Sequence, residues 1–270
     1  MLVGRAKAAG WWNQGENAND VFYNQLHSID LRLGANPGAV GVMWHPAQGT
    51  SVRDMAIDAH GAYSGVDYGS ATGYAHLNGT TDGGGGGTLE DLRITAGRYG
   101  VRGGGTNWCF RTLRVANASV AGLHLNTGSW NNGFLDVEVS GCPVAVNLSQ
   151  HNNNVVMLDS RFKLPAGGVG LKLYGVNPNA TGIVLSRVVA SGGDWAVRGP
   201  TEATSVKQAA SGSTSFKAWR SGGYEFVDDK EQLAVFGPLT PARADAPLPQ
   251  RKLPPTNVAG IWVAFFQECQ

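Results

Sequence analysis

The chain is poor in cysteine, poor in charge and without a long hydrophobic run, and each shortage excludes a class of protein. Its three cysteines, Cys109, Cys142 and Cys269, form no C-x-x-C pair. Their spacing supports neither a zinc site nor a disulfide framework, and they are expected as buried small hydrophobes. Charged residues are 15% of the 270 positions and the formal net charge is +1. That balance gives no electrostatic reason to expect nucleic acid or an acidic membrane as partner. No apolar run approaches a membrane span. The opening MLVGRAKAAGWW has basic residues but no sustained apolar stretch, so no signal peptide is visible. No three of the six histidines share ligand spacing on one helix or strand, so neither a metal nor another cofactor is expected.

Glycine, in contrast, is abundant at 39 residues. A chain of this length can bury a core unaided, and a glycine-rich, charge-poor composition suits many short strands joined by tight turns. Such strands recur. LEDLRIT, FRTLRVA, FLDVEVS, MLDSRFK and VLSRVVA align with Leu92, Leu113, Val137, Ser160 and Ser186 at matching positions, spaced by 21, 24, 23 and 26 residues. Each is followed by a second strand: YGVRG, AGLHLNTG, VAVNLSQ, VGLKLYG, WAVRG. Self-similarity of this length is the signature of a solenoid. With β-branched residues abundant and helical periodicity nearly absent, it predicts an all-β fold: a single right-handed parallel β-helix over residues 1–230. The asparagines at 131–132 and 152–154 are expected as corner ladders. Residues 231–270 are expected as an extended Pro-rich C-terminal arm, because six prolines fall between 238 and 255. Its apolar end, GIWVAFF, should pack on the solenoid or on another copy, and homo-oligomerisation is expected through this arm or the open end of the helix.

Alternation along the strands sorts candidate functional residues by face. One outward column reads Asp58, Arg93, Arg114, Glu138, Arg161, Arg187. Asp136, two residues before Glu138, is expected to point the same way, and a carboxylate pair is the minimum equipment for glycoside hydrolysis. A second column reads His76, Arg102, His124, Asn147, Lys172, Arg198, flanked by His45, Tyr74 and Asn126. Its many donors suit sugar hydroxyls or a carboxylate. Trp44, Trp108 and Trp130 are expected at coil edges, where flat aromatic faces stack on pyranose rings. The insert 61–88 ends in five consecutive glycines, so its backbone either moves or passes close to a neighbour. Asp67 and Asp82 are expected to ride on it into a cleft.

The stretches FYNQLHSIDLRLGANPGAVGVMWHPAQGTSVRDMAIDA and GTNWCFRTLRVANASVAGLHLNTGSWNNGFLDVEVSGCPVAV resemble coils of the N-terminal β-helix of family 55 glycoside hydrolases, in the pectate-lyase-like superfamily. The resemblance covers roughly residues 15–200. It implies a β-1,3-glucanase framework of two side-by-side β-helices, of which this chain carries one, with the Pro-rich tail similar to the connector. It also implies an extracellular location. Positions that help hold the attacking water in the family fall here on Gln48 and Gly83–Gly87. The expected function is a carbohydrate-active protein, a glycoside hydrolase acting on a β-linked glucan, with a polysaccharide or oligosaccharide as partner. The catalytic candidates are Asp67, Asp82, Asp136 and Glu138. The substrate-binding candidates are Trp44, His45, Gln48, Tyr74, His76, Trp108, His124 and Trp130. Two alternatives stand beside it: a non-catalytic carbohydrate-binding or assembly module, and a polysaccharide lyase with Arg102 or Lys172 as base.

Overall fold

A computed structural model describes residues 2–4, 23–44, 49–68, 86–103, 108–125, 132–148, 155–173, 182–217, 219–221, 224–227 and 233–236. The fold is a parallel β-solenoid, all-β, and no α-helix occurs among the described residues. In the first sheet Leu2–Gly4, Val40–Trp44, Ser64–Asp67, Tyr99–Gly103, Ala121–Leu125, Val144–Leu148, Val169–Leu173 and Trp195–Arg198 stack in parallel. The second sheet is built on Thr50–Asp58, Gly87–Thr95, Trp108–Ala116 and Asn132–Ser140. It continues in two broken strands, Val155–Leu158 with Arg161–Leu164 and Ile183–Ser186 with Val188–Gly192.

Each long strand of the second sheet bends at one residue. Asp54, Asp91, Thr112, Asp136, Asp159 and Arg187 all have φ between 48° and 54°, and the flanking register stacks them one rung apart. Asp is one of the few side chains that tolerates this left-handed region. The sharp corner is thus a column dominated by aspartate, where the sequence pointed to asparagine ladders. Of those ladders, 131 and 152–154 lie outside the described residues, while Asn132 sits buried inside a strand.

The core lies between the sheets. Leu89, Phe110, Phe134, Met157 and Leu185 form one inward column, in which Phe110 and Phe134 stack at 4.4 Å with planes 9° apart. Each such side chain contributes about 1.5–3 kcal/mol by leaving water. Leu92, Leu113 and Val137 register as the repeat predicts. Beyond them the frame slips. Arg161 pairs with Val189, so Ser160 lies opposite Val188, and Ser186 lies opposite Leu158. The last repeat is therefore two residues longer than its sequence alignment suggested, because Arg187 occupies the bend.

The C-terminal end of the stack is closed by reversal of direction. Val206–Lys207, Ser213–Phe216 and Trp219–Ser221 pair antiparallel with the last strands of the two sheets. Phe216 and Trp219 are buried there, ring centroids 6.1 Å apart. An exposed parallel edge is a template for further pairing, and these reversed strands occupy it. A separate hairpin pairs Tyr224–Val227 with Leu233–Phe236. The arm 238–270 lies outside the described residues. Cys142 matches its expectation: it is buried, accepts from the Ala118 amide at 3.3 Å, and burial pushes its thiol pKa up. Cys109 does not, because it is disulfide-bonded where the cysteine spacing pointed to no disulfide.

Candidate functional site

Two corners of the solenoid carry its connections. The connections between Trp44 and Thr50, Asp67 and Gly87, Gly103 and Trp108, Leu125 and Asn132, Leu148 and Val155, and Leu173 and Ile183 all run from a first-sheet strand to a second-sheet strand. His45, Gln48, Tyr74, His76, Asp82 and Trp130 belong to these connections and lie outside the described residues. So topology gathers half of the sequence-predicted site onto the connections of one corner.

The described residues at that corner correct three expectations. Trp44 and Trp108 are not at a solvent-facing edge: both turn inward, 5% and 0% exposed. Trp108 packs on Tyr68 with ring centroids 5.0 Å apart. Its position at the start of a strand placed it beside a turn in the sequence, but its side chain fills the core space that Gly87 leaves on the preceding rung, where a Cβ would stand 3.1 Å from the indole. That close approach accounts for the last of the five glycines. Asp67 does not ride on an insert. It ends the strand Ser64–Asp67, is 2% exposed, and forms an ion pair with Arg102 of the next rung at 3.1 Å. A substrate oxygen has no access to it. The same corner holds buried polar atoms without a protein partner: Trp44 Nε1, Thr50 Oγ1, Tyr68 OH and both amide atoms of Asn132. Thr50, Gly87, Trp108 and Asn132 share one column, and bound water is the ordinary partner for such groups. Burial first, and the neighbouring Asp67 second, raise the Tyr68 pKa well above its ordinary value.

Asp136 and Glu138 also differ from the expected pair. Asp136 is the bend residue, so it leaves the outward column, and Arg114 reaches it at 2.7 Å. Glu138 registers with Arg114 and Arg161 and binds Lys163 at 2.5 Å. The two carboxylates face different cations on different rungs. The true outward column reads Ala56, Arg93, Arg114, Glu138, Arg161, Val189. Asp58 registers with Thr95, and Arg187 is the bend residue paired with Asp159 at 2.6 and 2.8 Å.

The other predicted column is in register from Arg102 onward: Arg102, His124, Asn147, Lys172 and Arg198 succeed one another on the first sheet, one rung apart. The position before Arg102, expected as His76, is held by Asp67. The column's surroundings are aromatic. Tyr99 lies 4.8 Å from the His124 ring, Tyr63 meets Tyr99 edge-on at 5.5 Å, and the Arg102 guanidinium sits 5.3 Å over Tyr63. At the far end Arg198 and Lys207 lie 5.9 and 5.6 Å from the Trp195 ring. Sequence reading missed Tyr63, Tyr99 and Trp195. Their signal was available, since Tyr99 and Trp195 stand three residues before Arg102 and Arg198 in matching strands.

His124 is half-buried, and burial, then Arg102, then Lys172 lower its pKa to about 4. The neutral ring accepts at Nδ1 from the Asn147 amide at 2.9 Å, which places its own proton on Nε2 as a donor. This has a consequence for stability. Between about 4 and 6.5 the unfolded histidine holds a proton that the folded one refuses, so stability rises with pH across that window and falls as pH drops through it. His124→Gln should flatten this part of a melting-temperature profile against pH. An unchanged slope would show that the ring titrates normally. Asp159, whose carboxyl Arg187 holds below its ordinary value, acts only at lower pH, losing its contribution as pH falls through that depressed value.

No cluster of three or more histidine, cysteine, aspartate or glutamate side chains suited to a metal occurs among the described residues. No protein-family model matches the chain, and no curated protein matches it.

Proposed function

We propose that the protein is a carbohydrate-active β-helix that holds a β-linked glucan along the outer face of its first sheet. The observation that supports this reading is the column His124, Asn147, Lys172, Arg198, with Tyr63 and Trp195 nearby. Donors repeat there every rung, about 4.8 Å, which is close to the length of one sugar unit in an extended chain. Aromatic rings with an apolar body and polar surroundings suit the C–H faces of those units.

Hydrolysis is the fuller form of this proposal, with Asp82 as the remaining candidate acid. A non-catalytic binding module is the second reading, favoured by one observation: Asp67, Asp136 and Glu138 are each already engaged by a cation. Both forms are tested together. The full chain should be retained by insoluble β-1,3-glucan, and His124→Ala and Trp195→Ala should each weaken retention at least about tenfold, the effect of a contact of about 1.4 kcal/mol. Release of reducing ends that falls about 10²-fold or more in Asp82→Asn would establish a hydrolase with Asp82 as its acid. Retention without reducing ends leaves the binding module, and an ultraviolet-absorbing unsaturated product would indicate a lyase instead. If β-1,3-glucan, cellulose and uronate polymers all fail to retain the wild-type chain, the reading is wrong.

A further inference from the structure

The second set of connections, from second-sheet strands back to first-sheet strands, encloses a groove on the opposite corner. It has a volume of about 510 Å³ and is lined by Pro37, Ala62, Val120, His60, Arg98, Asn117 and Ser119 among others, within the size range of small-ligand sites. Its walls are tight backbone: Gly61, Gly97, Ala96 and Asn117 all have positive φ, between 60° and 83°. A Cβ on Gly61 would stand 2.8 Å from the Ala35 backbone, so the corner cannot fill itself with side chains.

Four polar residues line this space, and among the described residues none has its side chain tied to a protein partner by a hydrogen bond or ion pair. His60 uses only its backbone amide, toward Asp58. Arg98 has its guanidinium 5.9 Å over Tyr63 and 5.7 Å over Tyr99 and is otherwise exposed. Asn117 and Ser119 are exposed on the next rung. No carboxylate lines the groove. Proximity to these two rings limits where the guanidinium can swing.

We infer that this groove binds a small polyhydroxylated carboxylate, a sugar acid, with its carboxylate on Arg98. A guanidinium pairs with a planar carboxylate through two parallel hydrogen bonds. Asn117 and Ser119, two residues apart, offer both donors and acceptors and suit hydroxyl groups. Ala62, Val120 and Pro37 provide an apolar floor for the C–H face of such a ligand. His60 at the rim adds a further polar group. The groove adjoins the glucan face, since Arg98 lies against Tyr63 and Tyr99, but sugar-acid binding here does not depend on glucan binding there.

Calorimetric titration of the full chain with glucuronate, gluconate, glucose and acetate tests the assignment. The sugar acids should bind, and glucose and acetate at least tenfold more weakly, since each lacks one half of the recognition. Arg98→Gln should weaken the sugar acids at least tenfold. Arg98→Lys keeps the charge but loses the fork, and should recover only part of the affinity. Equal affinity for glucose, or an Arg98→Gln variant that binds glucuronate as well as wild type, overturns the proposal. Acetate binding as tightly as glucuronate overturns it too, because the groove would then be a simple anion site. His124→Ala, which is outside this groove, should leave sugar-acid binding intact, so failure on the glucan face and failure here are told apart.

Discussion

Arg102→Met should unfold the protein about 3–5 kcal/mol more easily than wild type, the largest single effect expected from any side chain of the first sheet. Asp67 and Arg102 are 3% and 8% exposed at the side chain, and they sit on consecutive rungs 3.1 Å apart. Removing the guanidinium takes its cation away from a carboxylate that is 3% exposed, and breaking a buried pair by removing one partner costs far more than the pair itself is worth. The Tyr63 ring would also lose the nearer of its two guanidinium neighbours. The partner substitution separates these terms. Asp67→Asn together with Arg102→Met removes both charges and should recover most of the loss, because two charges taken out of a core often cost little net. Denaturant midpoints of the single and double variants make the comparison. If Arg102→Met alone stays within about 1 kcal/mol of wild type, the pair is solvated and the burial argument fails. The same result would reopen Asp67 as a residue that substrate can approach.

Gly122→Val should cost about 3 kcal/mol, the upper part of the range for overpacking. Gly100 and Gly122 hold the same position on successive first-sheet strands, one residue before Val101 and Leu123 in register. A Cβ on Gly122 would lie 2.4 Å from Val139 Cγ1 and 2.9 Å from the Ala145 carbonyl oxygen; on Gly100 it would lie 2.3 Å from Val115 Cγ1. The second sheet's valines thus press against bare backbone, and that contact sets how closely the sheets approach. Ala145 occupies the equivalent position one rung on, so a single methyl can be housed where neighbours give way. Gly122→Ala should therefore be clearly milder than Gly122→Val, and the midpoint order wild type, Ala, Val is the result to check. A Val variant as stable as wild type would mean that the sheets can separate freely, contrary to a packed core.

The repeat, the all-β class and the inward positions Leu92, Leu113 and Val137 were legible because strand alternation is a local property written into each short run. The same locality made the donor column Arg102, His124, Asn147, Lys172, Arg198 legible: once the coils are aligned, residues at equal phase stack. Ser186 shows where that method ends. Its run looks like the others, yet Arg187 takes the bend and shifts the frame by two residues, a choice visible only when the neighbouring rung is in place. The bend itself was misread for a related reason. Asparagine and aspartate both tolerate a left-handed backbone, and which runs supply the corner depends on how the coil closes.

Phase decides on which side of a strand a residue stands; whether that side is wet is decided elsewhere in the chain. Asp67 and Trp108 were assigned to solvent by sequence position, and the rung beside each removed it, Arg102 covering the carboxylate and Tyr68 the indole. Asp136 and Glu138 were paired by their spacing of two and separated by one bend. The groove at His60, Arg98, Asn117 and Ser119 had no sequence signal at all, since its walls come from four successive coils. The sequence determined the coil and its period, because those follow from alternation within a few residues. Tertiary structure decided burial, ion pairing and enclosure, because each is a property of two or more rungs brought within a few ångströms by residues some twenty or more positions apart.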